Sequence, residues 1–189
     1  MNLSEILGNA SFFAQLYRLD VELAERHQSQ ACPSCGSTLH QGFYQRKPRG
    51  ALYQFPQSYA IRHSYCCSVC RKRSLPPSCL FFGRRIYFGC FILFATAILQ
   101  GLTSQSMMSL CTMLQISKRT LRRWLLFFKE AFPKSIQWQR LRGLLPPAVA
   151  ASPMPLGLLQ SYSTISLTKG LFETCCLLVR GISNIKQAD

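Results

Sequence analysis

The chain has 189 residues, 48% of them apolar, and a formal net charge of +15. That length allows one medium domain or two small ones, and that apolar content excludes a disordered chain. The charge is segregated: from Arg26 to Lys129, both included, there is no Asp or Glu but 15 of the 22 Lys and Arg. Such a field attracts a polyanion, nucleic acid before an anionic membrane surface.

The N-terminal "MNLSEILGNASFFAQ" has no basic stretch ahead of an apolar one, so no secretory signal is expected. The expected location is the reducing cytoplasm, where clustered cysteines serve as metal ligands more often than as disulfides. Residues 11–26 read as an amphipathic helix. Phe12, Leu16, Leu19 and Leu23 recur at helical spacing, Asp20, Glu22 and Glu25 fall mostly between them, and Ser11 is placed to cap.

Residues 31–79 are rich in Gly, Pro, Tyr and Arg, and runs such as "TLHQGFYQR" alternate as strands do. "CPSCG" (32–36) and "CSVCR" (67–71) are two Cys-x2-Cys knuckles. Zn²⁺ takes four thiolates in a tetrahedron, and two intervening residues let one tight turn aim both sulfurs at a point. Zn²⁺ held by Cys32, Cys35, Cys67 and Cys70 in a small zinc ribbon is therefore expected, with Gly36 closing the first turn in a left-handed conformation. Cys66 paired with Cys70 is an alternative that zinc tolerates. Cys67 is preferred because, on a strand, Cys66 points to the opposite face. The other cysteines of the body, Cys66, Cys79, Cys90 and Cys111, read as small buried hydrophobes. His40 and His63 read as polar strand residues, His63 facing phosphate. Arg71, Lys72 and Arg73, with "QRKPRG" and Arg62, are expected to form a basic face interleaved with Tyr44, Tyr53, Tyr59 and Tyr65, suited to a phosphate backbone.

Three helical stretches follow, at about 84–100, 104–114 and 118–131. Arg84 and Arg85 open the first and are placed to meet phosphate. Its apolar run, "IYFGCFILFATAIL", falls short of the roughly 20 residues that span a bilayer, so a buried helix is expected and no membrane partner. Met107, Leu110, Cys111 and Leu114 share one face, as do Leu121, Trp124, Leu125 and Phe128. Lys118, Arg119, Arg122 and Arg123 point away from that stripe, Ser117 is placed to cap, and Thr120 stands at the third helical position. Two short helices with early cations on the second suit the major groove, so Lys118, Arg119, Thr120, Arg122 and Arg123 are candidate DNA contacts. "LLPPAVAASPMP" (144–155) reads as a linker, and the tail has one possible helix near 164–180.

"LQISKRTLRRW" resembles the turn and recognition helix of the transposase and resolvase helix-turn-helix, where L-G-[IV]-S-x-x-T-[LV]-x-x-W is common. Gln115 stands where that pattern has Gly and where positive φ is often wanted, a substitution that costs up to about 1 kcal/mol. A zinc ribbon followed by a helix-turn-helix is similar to the N-terminal DNA-binding region of insertion-sequence transposases and their small regulators. More narrowly, "CPSCG" with "CCSVCRKRSLPPSCLFFGRRIYFG" resembles short bacterial proteins found with mobile elements. The resemblance covers residues 31–147 and implies DNA association without a reaction.

A DDE transposase needs three carboxylates around two metal ions. Beyond Lys129 the chain has only Glu130, Glu173 and Asp189. No Ser-His-Asp set and no phosphate-binding Gly loop occurs either, so neither an enzyme nor a small-molecule substrate is expected. The expected class is α+β, mainly α: an N-terminal helix (1–30), a zinc ribbon (31–79), a helix-turn-helix bundle (80–145), and a linker with a weakly defined tail (146–189). The leading expectation is a DNA-binding accessory or regulatory protein of a transposable element. The alternatives are a protein–protein adaptor for a transposase or another partner, and an RNA-binding protein.

Overall fold

A helix reaching across two separate cores organises the chain. The computed structural model describes residues 9–46, 56–82, 88–102 and 106–183, and these form a mainly helical α+β structure with two small sheets. Helix α1 (Ala10–Ser29) starts at Asn9, whose side chain accepts a hydrogen bond from the Phe12 N–H at 2.9 Å. Asn9 thus takes the capping role expected of Ser11, which lies inside the first turn. The early face of α1 buries Phe12, Phe13 and Leu16 in the large core, while Ala24 enters a second, smaller core.

Asp20 departs from the sequence reading. It is only 1% exposed. Its carboxylate accepts hydrogen bonds from the Ser78 hydroxyl and from the backbone N–H groups of Cys79 and Leu80. Those donors lie in a buried turn without strand or helix partners, and a buried donor left unmatched is costly. Burial pushes the Asp20 carboxyl up to about 6, against the opposing pull of these hydrogen bonds and of Arg62.

Strands β1 (Leu39–Gln41), β2 (Tyr44–Gln45), β3 (Ile61–Arg62), β4 (Tyr65–Cys67) and β5 (Arg73–Ser74) make two antiparallel ladders. One runs β1–β4–β5, with Leu39 opposite Cys67 and Cys66 opposite Arg73; the other pairs β2 with β3. The smaller core consists of Ala24, Cys32, Leu39, Tyr65 and Cys67.

The remaining helices are α2 (Gly89–Ala97), α3 (Met107–Met113), α4 (Lys118–Leu126), α5 (Ile136–Arg142), α6 (Pro147–Ala151), α7 (Leu156–Tyr162) and α8 (Leu167–Ser183). Every residue of α2 is buried, as expected of a helix apolar all round. The Arg84 and Arg85 expected to open that stretch lie outside the described residues. The chain runs on from α2 to Leu102 across a kink at Gly101, which adopts φ +106°, and a wider π-helical turn extends α4 over Phe127–Ala131. Among the described residues no helix is long and apolar enough to cross a membrane.

Residues 146–183 are folded where a linker and a weakly defined tail were expected, and the helix expected near 164–180 is α8. Pro147 opens α6 at a first-turn position, where its missing N–H has no partner to lose. Met154, Leu158 and Leu159 are buried, and α8 inserts Leu171, Cys175 and Leu178 into the large core against α2, α5 and α7. Low charge in this stretch reflects burial.

The raised Asp20 group favours the folded state while protonated. Its stabilising contribution is full below the ordinary value of 3.8 and is lost as pH rises through about 6. Asp20→Asn imitates the protonated form, so relative to wild type it should gain roughly 2 kcal/mol between about pH 4.5 and about pH 7.5 in urea unfolding. A difference that does not change with pH would refute this account of Asp20.

Candidate metal centre and basic surface

Each Cys-x2-Cys knuckle folds the same way. The Cys32 N–H donates to the Ser37 carbonyl at 2.8 Å, and the Cys67 N–H to the Lys72 carbonyl at 3.1 Å. Within each turn, backbone N–H groups point at a sulfur: Ser34 at Cys32 Sγ, and Val69 and Cys70 at Cys67 Sγ, all at 3.4 Å. The residue after each second cysteine is left-handed, Gly36 at φ +71° and Arg71 at φ +58°. Gly36 adopts that conformation freely, whereas Arg71 holds it at a steric cost of about 1 kcal/mol.

These turns bring the ligand atoms of Cys32, Cys35, Cys67 and Cys70 within 4.8 Å of one another. Cys32 Sγ lies 3.6 Å from Cys70 Sγ, and Cys35 Sγ 3.4 Å from Cys67 Sγ. A tetrahedral ion with metal–sulfur bonds of about 2.3 Å needs sulfur–sulfur edges of about 3.8 Å, so the cluster fits such an ion and is compatible with zinc. All four cysteines are free thiols. Cys66, on the other face of β4, is outside the cluster and its thiol lies 3.5 Å from the Arg71 carbonyl.

The Ser37 hydroxyl, then the Ser37 N–H, holds Cys35 down at about 6, and the Ser34 N–H lowers Cys32. At Cys70 the Lys72 N–H also lowers, but burial and the neighbouring sulfurs outweigh it and push that thiol up to about 12. Thiolates this close do not all ionise in the absence of a cation. A divalent ion removes that conflict and is bound with release of protons.

The expected basic face is only partly assembled. Arg71, Lys72 and Arg73 are exposed at the second knuckle. Arg73 and Arg46 both stand over the Tyr44 ring, 5.8 and 4.8 Å from its centroid. Arg62 does not join them. It is 4% exposed and donates from Nη2 to the Pro76 carbonyl at 2.7 Å. His63 is likewise buried, its ring edge-on to Phe43 at 4.6 Å, which corrects the expected phosphate-facing role. Tyr65 is buried in the small core. Lys47, Arg49 and Tyr53 lie outside the described residues. His27 was missed by the sequence reading; its Nε2 meets the Ser74 hydroxyl at 2.9 Å and ties α1 to β5.

The second cationic group sits on α4. Leu110, Cys111 and Leu114 of the preceding helix and turn are buried, as are Leu121, Trp124 and Phe128. Between the helices Gln115 adopts φ +48°, the left-handed geometry expected at this position. The Ser117 side chain accepts from the Thr120 N–H at 3.2 Å and caps α4 as expected. Lys118, Arg119, Arg122 and Arg123 are all exposed. Thr120 is 6% exposed, and its hydroxyl lies 3.1 Å from Ser117 Oγ and accepts from Arg123 Nη2 at 3.3 Å. Thr120 thus supports the cap and holds an arginine.

No protein-family model, no curated protein and no solved structure matches the chain.

Cobalt titration of the reduced protein should give thiolate-to-metal absorption saturating at about one ion per chain. Cys67→Ser should weaken it strongly, while Cys66→Ser should leave it intact. The reverse pattern would move the ligand to Cys66.

Proposed function

We propose that this chain is a zinc-containing, DNA-binding accessory or regulatory protein of a mobile genetic element. The observation that carries the reading is the surface of α4. Four cations, Lys118, Arg119, Arg122 and Arg123, stand exposed on a capped helix reached through a left-handed turn. The preceding helix packs against α4 and leaves that basic face free, which is the arrangement a helix-turn-helix uses in a major groove. The mobile-element assignment rests on the resemblance of "LQISKRTLRRW" and of the paired knuckles to transposase-associated proteins.

In this reading Zn²⁺ occupies Cys32, Cys35, Cys67 and Cys70, and contributes folding energy to a module with little core of its own. Arg71, Lys72 and Arg73 supply phosphate contacts, and α4 supplies base and phosphate contacts. Specificity resides in α4, since phosphate contacts position a protein without reading sequence.

Fluorescence anisotropy with a duplex tests this. Arg122→Ala combined with Arg123→Ala should lower affinity by more than about tenfold and reduce the salt slope by about 2, with circular dichroism unchanged. Unchanged affinity would overturn the recognition-helix assignment. Displacement of duplex by an equal concentration of single-stranded RNA would redirect the reading to RNA.

A further inference from the structure

A cleft of about 800 Å³ opens beside α4, within the range of small-molecule sites. Leu125, Phe128, Trp138 and Met154 form its apolar floor. Phe128, Trp138 and Met154 are each 5% exposed or less, so this floor is preformed by core packing. Gln100 makes one wall, and its amide is already committed. Its Nε2 donates to the Met154 carbonyl at 2.7 Å, and its Oε1 accepts from the Leu156 N–H at 3.3 Å.

Two exposed cations, Arg122 and Lys129, border the cleft, and no acidic side chain lines it. A π-helical turn contributes to it: Phe128 and Lys129 belong to the turn after α4, while Gln100 stands beside the kink at Gly101 that ends α2. Turns of this kind occur preferentially at functional sites. An apolar floor with cations at the mouth disfavours a sugar, whose hydroxyls would lose water there, and repels a cation.

We propose that this cleft binds a small amphiphilic anion, its apolar body on Leu125, Phe128, Trp138 and Met154 and its head group on Arg122 and Lys129, and that occupancy withdraws Arg122 from DNA. The second limb rests on the reading of α4 as the DNA-contacting helix; the first does not. Arg122 is the shared residue, and one guanidinium does not serve a ligand head group and a DNA phosphate at full strength together.

Decanoate is a suitable probe, with decanol as its neutral counterpart. Calorimetry on the metal-loaded full chain should show one decanoate per chain and decanol weaker by roughly tenfold, two exposed ion pairs being worth about that much together. Lys129→Gln should weaken decanoate by roughly three- to fivefold and leave decanol unchanged. Ala151, exposed on the cleft wall, tolerates a bulky side chain without disturbing the core, and Ala151→Trp should abolish binding of both probes. Equal affinity for decanol and decanoate, or decanoate binding that survives Ala151→Trp, would overturn the site. For the second limb, saturating decanoate should weaken duplex binding of the wild type and leave Ala151→Trp unaffected. Decanoate binding without any effect on duplex affinity overturns the coupling. Decanoate binding by a chain that never binds duplex overturns the proposed function and leaves the cleft standing.

Discussion

The convergence of four sulfurs is the constraint on which the N-terminal half depends. Strands of two or three residues enclose a core of five buried side chains, and two of those five are cysteines of the cluster. A core that small does not offset the entropy of ordering its chain. The cluster closes a long loop, fixes the register of Leu39 opposite Cys67, and turns Arg71, Lys72 and Arg73 outward. With a cation the thiols act as a staple; without one their mutual repulsion opposes the same geometry.

Helix α1 joins this module to the helical body by chemistry as well as by packing. Its last turns supply Ala24 and His27 to the module, and its first turns supply Phe12, Phe13 and Leu16 to the large core. Asp20 sits between, gathering the chain at Ser78, Cys79 and Leu80 as it passes from one core to the other. The buried Arg62 lies close enough to lower the Asp20 carboxyl electrostatically, although burial dominates there. The carboxylate is thus an internal partner for the buried Arg62, and the stretch from Arg26 to Lys129, which carries no acid, stays positive.

Features set by local chemistry were legible in the sequence. The two-residue spacing of the knuckles and the alternation of a strand singled out Cys67 over Cys66, and the cysteine cluster has that membership. Ser117 caps α4 and Gln115 turns left-handed, because caps and turns depend on neighbours within a few residues. Contacts between distant segments were not legible. Asp20 lies four residues from both Leu16 and Ala24, on the buried stripe, and that spacing was the available signal; a charge there is acceptable only because Ser78 and its neighbours, nearly sixty residues on, supply donors. Arg62 read as part of a basic face and His63 as a strand residue facing phosphate for the same reason: nothing local announces the Pro76 carbonyl or the Phe43 ring. The stretch 144–155 reads as a linker because Pro146 and Pro147 look like linker residues; the helix expected near 164–180 is present, but nothing local announces the core it packs into.

The complete burial of α2 has a consequence for how the chain is made. Part of its cover is α8, whose first residue lies 70 positions after the end of α2. At a synthesis rate of about 5–20 residues per second, α2 leaves the ribosome roughly 4 s or more before that cover exists. During that interval the face of α2 that α8 covers is open, while α1 already stands against the other side through Phe13 and Phe91, so a nascent chain should offer holding chaperones an apolar face that the finished fold closes.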